Sequence, residues 1–243
     1  MSMKRNCNVS TLLLWCSHQQ RGVMIICFSA NASILAGIAL LGIGIATVRR
    51  ADGLAQLPYA AIPLAFGMQQ LVEGCLWIIL PAQSPATGTV ATIYLLFSHV
   101  LWPILVPLAV LAIEPLQARR KLLLLPTAAG AVASAYFLFA LLTEPASAEI
   151  QGRHIVYHLP HRHDALILTL YIVGTCLTPL LSSYRTVRLL GIAIVIAMIV
   201  TSIIYLHWFA SVWCFFAALM SAVVFVHFSQ QPSRDGQTYF RRS

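Results

Sequence analysis

Charge is what this sequence has least of: 9% of its 243 residues are Asp, Glu, Lys or Arg, against 59% that are hydrophobic. A soluble domain needs about 25% charged residues to cover its surface, so water is not the main solvent of this chain. Cysteine occurs six times, at Cys7, Cys16, Cys27, Cys75, Cys176 and Cys214, and never as a CxxC pair, which excludes a zinc ribbon and a thioredoxin-like motif. Those within apolar runs read as small buried hydrophobes, and an even count is no evidence of disulfides. Lysine occurs only at Lys4 and Lys121, outside every apolar run, so no membrane-embedded Schiff base of the retinal kind can form. P-loop, dinucleotide-fingerprint and GxSxG patterns are also missing.

What the chain has instead is apolar runs, at about 31–48, 59–80, 90–112, 122–142 and 165–184, and one uncharged stretch over 189–228. A helix needs about 20 apolar residues to cross a bilayer, and the first five runs have that length. The last would make a helix of about 60 Å against a hydrocarbon core of about 30 Å, so it must fold back into two spans. The expected spans are 189–206 and 210–228, hinged at Tyr205–Ser211, where aromatic rings and His207 suit the membrane interface and Ser211 can cap a helix. The fold class is therefore all-α, an integral membrane bundle of seven spans. Residues 24–230 form one membrane domain, flanked by an N-terminal extension over 1–23 and a basic tail over 231–243.

The positive charges set the orientation. The formal net charge of +8 does not point to nucleic acid, because its basic residues form no stripe with interleaved aromatics. They lie between apolar runs. Arg49 and Arg50, Arg119 to Lys121, Arg185 and Arg188, and Arg234, Arg241 and Arg242 all fall on one side, which the positive-inside bias makes cytoplasmic. The opposite side has only Arg153 and Arg162 in the 143–164 loop, so the N-terminus is expected outside and the tail inside. Lys4, Arg5 and Arg21 are discordant, and two readings stay open: Met24 is the truer start, or a short outside tail tolerates three charges.

From Met24 the chain reads Met-Ile-Ile-Cys-Phe-Ser-Ala-Asn-Ala-Ser, and Gln69-Gln70-Leu-Val-Glu73-Gly74-Cys-Leu-Trp77, Leu101-Trp102-Pro103, Ile113-Glu114-Pro115 and Ser211-Val-Trp213-Cys214 follow. Together these pieces resemble an uncharacterised family of bacterial multi-pass membrane proteins whose members open close to MCFSAxAS. The resemblance covers nearly everything after Met24 and departs from the family at the N-terminal extension and the Ile25-Ile26 insertion. It implies a bacterial inner-membrane protein, with the bilayer as its partner, and carries no activity.

Ionisable groups at membrane depth cost about 2.5–3.5 kcal/mol on insertion scales, so each is a candidate functional residue. Glu73 is the clearest, about 10 Å below the outer end of its span. Gln69 lies four residues before it and Trp77 four after, on one helix face, with Gln70 beside them. His99 sits at a similar depth in span three, with Trp102 one turn on, and His207 lies near the outer end of span six. Glu73, His99 and His207 could hold zinc with a fourth position open to water, the logic of a hydrolase acting on lipid-like substrates, with Glu73 as its catalytic group. Seven-span ceramidases and adiponectin receptors use that logic, but the signatures of those proteins are missing here. His158, His161 and His163 of the outer loop form a second candidate metal set, although such spacings also occur in solvated loops without function.

The competing reading makes the same polar residues interhelical hydrogen bonds in a non-enzymatic transporter, sensor or complex subunit. His227 reads as an interfacial ring, and Ala32, Ala36, Gly42, Ala46 and the small residues of 128–135 read as packing surfaces. Pro103, Pro107, Pro126 and Pro179 are the expected kinks.

Overall fold

The computed structural model describes residues 29–151, 154–159, 165–204 and 220–229. Ser29 caps the first helix, α1 (Ala30–Val48), by accepting a hydrogen bond from the Ala32 amide at 3.3 Å. The chain turns, starts a short helix α2 (Leu57–Ala60), and continues almost directly into α3 (Ile62–Ile79), with a proline in the first turn of each. Next come α4 (Thr87–Leu95), a π-helical turn over Leu96–Leu101, and α5 (Trp102–Ile113), which together make one long rod. The long helix α6 (Gln117–Thr143) returns to a two-stranded antiparallel hairpin, β1 (Ser147–Gln151) and β2 (His154–His158). Beyond it lie α7 (Ala165–Ile172), a second π-helical turn over Val173–Leu177, α8 (Thr178–Leu180), α9 (Arg185–Ile204) and α10 (Met220–Ser229).

Among the described residues, four helical rods are long and apolar enough to cross a membrane: Ala30–Val48, Leu57–Ile79, Thr87–Ile113 and Gln117–Thr143. The hinge at Tyr205–Ser211 and the extension over 1–23 lie outside the described residues, as does the 231–243 tail. The hairpin is a departure from the all-α expectation. It occupies the loop between α6 and α7, where Ile155, Val156 and Tyr157 are residue types that favour strands.

Small residues bring α1 and α3 together. Ser33, Gly37, Leu40, Gly44 and Thr47 form the buried stripe of α1. A methyl group added at Gly37 would lie 2.8 Å from Leu71 and 3.0 Å from the Gly67 carbonyl, and one at Gly67 would lie 3.0 Å from the Gly37 carbonyl. This is the close approach that small residues permit between apolar helices. Gly42 is corrected by the same measure, since nothing lies within 4 Å of a methyl group placed there. Its helix face points outward, as do Leu35, Ile38 and Ile45.

Each π-helical turn stands just before a proline. Pro103 has no N–H to give the carbonyl four residues earlier, and Pro179 has none either, so the helix widens at both points. Neighbouring helices supply replacement donors: Tyr171 donates its hydroxyl to the Ser98 carbonyl at 2.9 Å, and Ser134 to the Val100 carbonyl at 2.7 Å. Satisfying these carbonyls internally is what an apolar surrounding demands.

The other end of the bundle is fastened by Glu114. This acid lies just past α5, is 2% exposed, and faces the turn before α9. Its carboxylate accepts from the Ser182 hydroxyl at 3.1 Å, the Ser183 amide at 2.8 Å and the Ser183 hydroxyl, and from the Leu116 amide at 3.3 Å. Arg119 donates to the carbonyls of Leu181 and Ser182, and Arg188 to those of Ser182 and Ser183. Two connections distant in sequence are thereby tied together. His227 belongs to the same half of the molecule: it is 5% exposed, with Nδ1 2.6 Å from the Thr186 hydroxyl and its ring edge-on to Tyr59 and Tyr184.

Candidate functional site

Glu73 is buried on α3, in the half of the molecule roofed by the hairpin. The Gln70 amide donates to its Oε2 at 3.2 Å, a bond between side chains three residues apart on one helix. Gln69, one turn below Glu73, turns towards α5, where the Trp102 indole N–H donates to its Oε1 at 2.6 Å. Trp102 in turn stacks on Phe66 with ring centres 4.0 Å apart, which fixes the indole and so the glutamine. The polar residues of this stretch thus make two contacts, Gln70 with Glu73 and Gln69 with Trp102. Trp77, one turn above Glu73, is half-buried.

The roof is the hairpin. Its Tyr157 ring lies flat on Tyr94 of α4, with centres 4.3 Å apart and planes 2° from parallel. Both rings pack with Leu76, Ile79 and Leu80 at the end of α3. Burial pushes the Tyr157 hydroxyl well above the ordinary phenol range. The outer surface of the hairpin is polar. Glu149 accepts from Gln151 and stands 3.0 Å from His158 Nε2, with both members of the pair half exposed; these bonds hold its carboxyl below the usual range.

The other sequence candidates are placed differently. The His99 Nδ1 is 2.8 Å from its neighbour Ser98, on the π-helical turn, and its ring meets the Phe137 ring of α6 edge-on at 5.0 Å. His158 is the partner of Glu149. His207, His161 and His163 lie outside the described residues. Among the described residues, no group of three His, Cys, Asp or Glu side chains could hold a metal ion. A cavity of about 530 Å³ opens between the α3–α4 turn and the hairpin, lined by Leu80, Gln83, Ser84, Thr87, Ala148 and Glu149. The turn is tight enough to hold Gln83 at a φ of 50°.

A family of unknown function, DUF6629, matches residues 26–238. The chain belongs to this family. The DUF6629 match takes in every described element, from α1 to α10, together with the Glu73 stripe and the hairpin. No curated protein and no solved structure matches the chain.

Proposed function

We propose that this DUF6629 protein is a seven-span protein of the bacterial inner membrane, with its N-terminus outside and its basic tail inside, and that it binds a solute at its outer face in transport or sensing. Support for the membrane comes from the outward faces of the helices: Leu35, Ile38, Leu125, Phe139, Leu142 and Ile196 are all exposed. A water-soluble protein seldom leaves so much apolar surface uncovered, whereas lipid covers it without cost.

The observation that carries the binding reading is the burial of Glu73, 7% exposed, under a hairpin whose outer edge borders a cavity. An acid in an apolar span is expensive enough to be kept for a purpose. A hydrolase centred on Glu73 and His99 would also need further ligands, whereas His99 stands against Ser98 and Phe137. The non-enzymatic reading needs only the polar groups already gathered around Glu73. Dicyclohexylcarbodiimide, which attacks carboxyls in apolar surroundings, should modify Glu73 in the folded protein, and mass spectrometry should find no label there in Glu73→Gln. A Glu73 that stays unmodified would show that the acid is sealed into the bundle and serves packing alone.

A further inference from the structure

The Gln69 amide has an orientation that its neighbour dictates. Indole N–H is a donor only, so the oxygen of Gln69 must face Trp102, and the NH₂ group must point elsewhere. That NH₂ is buried with no hydrogen-bond partner. A buried donor left unmade costs about 1–3 kcal/mol, so a partner is worth a comparable amount to whatever supplies it. Glu73 lies four residues further along the same face, about 6 Å away at Cβ, and a carboxylate has acceptor positions beyond the single bond from Gln70. The stacked rings of Tyr94 and Tyr157 pack against Leu76, one turn beyond Glu73 on the same helix. A carboxylate and an unpartnered amide donor, one turn apart on a helix that the hairpin covers, make a two-point receptor.

The approach has the same preference. The cavity beside the hairpin has Glu149 in its lining and no basic side chain, so it favours a cation. Ala148, which lines this cavity, is the cross-strand partner of Tyr157. These two residues share one face of the hairpin, so the wall of the cavity continues into the rings packed over Leu76, one turn from Glu73.

We infer that the ligand of this site is a small amine that also carries an oxygen acceptor, an amino alcohol in type, with its ammonium on the Glu73 carboxylate and its oxygen on the Gln69 amide. This rests on the outward binding site proposed above. The probe is ethanolamine, added to the full-length protein during carbodiimide modification. At about ten times its dissociation constant it should slow modification of Glu73 roughly tenfold, since only empty sites react. Methylammonium, which has no oxygen, and ethylene glycol, which has no cation, should each protect far less. In Gln69→Leu the labelling of Glu73 should persist, reporting an intact fold, while the protection by ethanolamine is lost. Protection by vesicles of phosphatidylethanolamine, but not by those of phosphatidylglycerol or by the free amine, would assign the same chemistry to a lipid headgroup. Glu73 labelling that is indifferent to ethanolamine and to phosphatidylethanolamine would overturn the amine, and so would equal protection by methylammonium. Failure of Glu73 to label at all would instead overturn the underlying site.

Discussion

Replacing Gly130 by alanine is expected to cost about 3 kcal/mol or more of stability, at or above the top of the usual range for overpacking. A methyl group at this position would lie 1.9 Å from the Pro103 carbonyl oxygen and 3.1 Å from its carbon. Both are backbone atoms of a neighbouring helix, so no side chain can swing aside. Gly174 makes the crossing tighter still, because its own added methyl would meet the Gly130 Cα at 2.7 Å. Three segments therefore touch at backbone distance here, beside both π-helical turns. Gly42→Ala is the control: it meets open space, and alanine improves helix propensity by about 1 kcal/mol over glycine. Thermal unfolding in detergent should show Gly130→Ala far less stable than the parent and Gly42→Ala no less stable. Equal melting of the two variants would contradict the packing described.

Glu114→Gln is the second large effect. The amide offers one acceptor atom where the carboxylate offers two, so the donors from Ser182 and Ser183 cannot all be satisfied. Hydrogen bonds to a charged group are worth about 1.5–3 kcal/mol, and a loss of that order is expected. The pH dependence has a definite sign. Burial alone would raise the Glu114 pKa, but the bonds from Ser183, Leu116 and Ser182 outweigh it and leave the pKa below the ordinary 4.5. A carboxyl whose folded pKa is depressed stabilises the fold above its unfolded pKa and loses that contribution as the pH falls through the folded one. The gap between the parent and Glu114→Gln should therefore be full at neutral pH and shrink as the pH falls below 4.5. A gap that widens in acid would mean that the carboxyl is not held in its charged form.

Sequence made the apolar rods legible because hydrocarbon sets a minimum length for any helix that crosses it. It also pointed to Glu73, since an acid stands out in such a run, and named Trp102 without pairing it with Gln69. Their pairing depends on how α3 and α5 rotate against each other, which periodicity along one chain does not contain. The sequence names Glu114 only within the Ile113-Glu114-Pro115 motif and does not reveal its role, for a related reason. Glu114 sits two residues past its run beside Pro115, where an acid is ordinarily solvated, and its serine partners come 68 and 69 residues later. The hairpin was hidden in a loop judged by its histidines, although Ile155-Val156-Tyr157 carried a strand signal. The partners of His227, which are Thr186, Tyr59 and Tyr184, come from distant segments and were not legible either.

The orientation of the hairpin decides whether Glu73 opens to the outside, and reporter fusions measure it most directly. Fusions after Arg120 and after the C-terminal Ser243 should report the cytoplasm, and one inserted in the 150–160 segment should report the outside. A C-terminus found outside, or a hairpin found in the cytoplasm, would contradict the seven-span arrangement and the outward-facing site together.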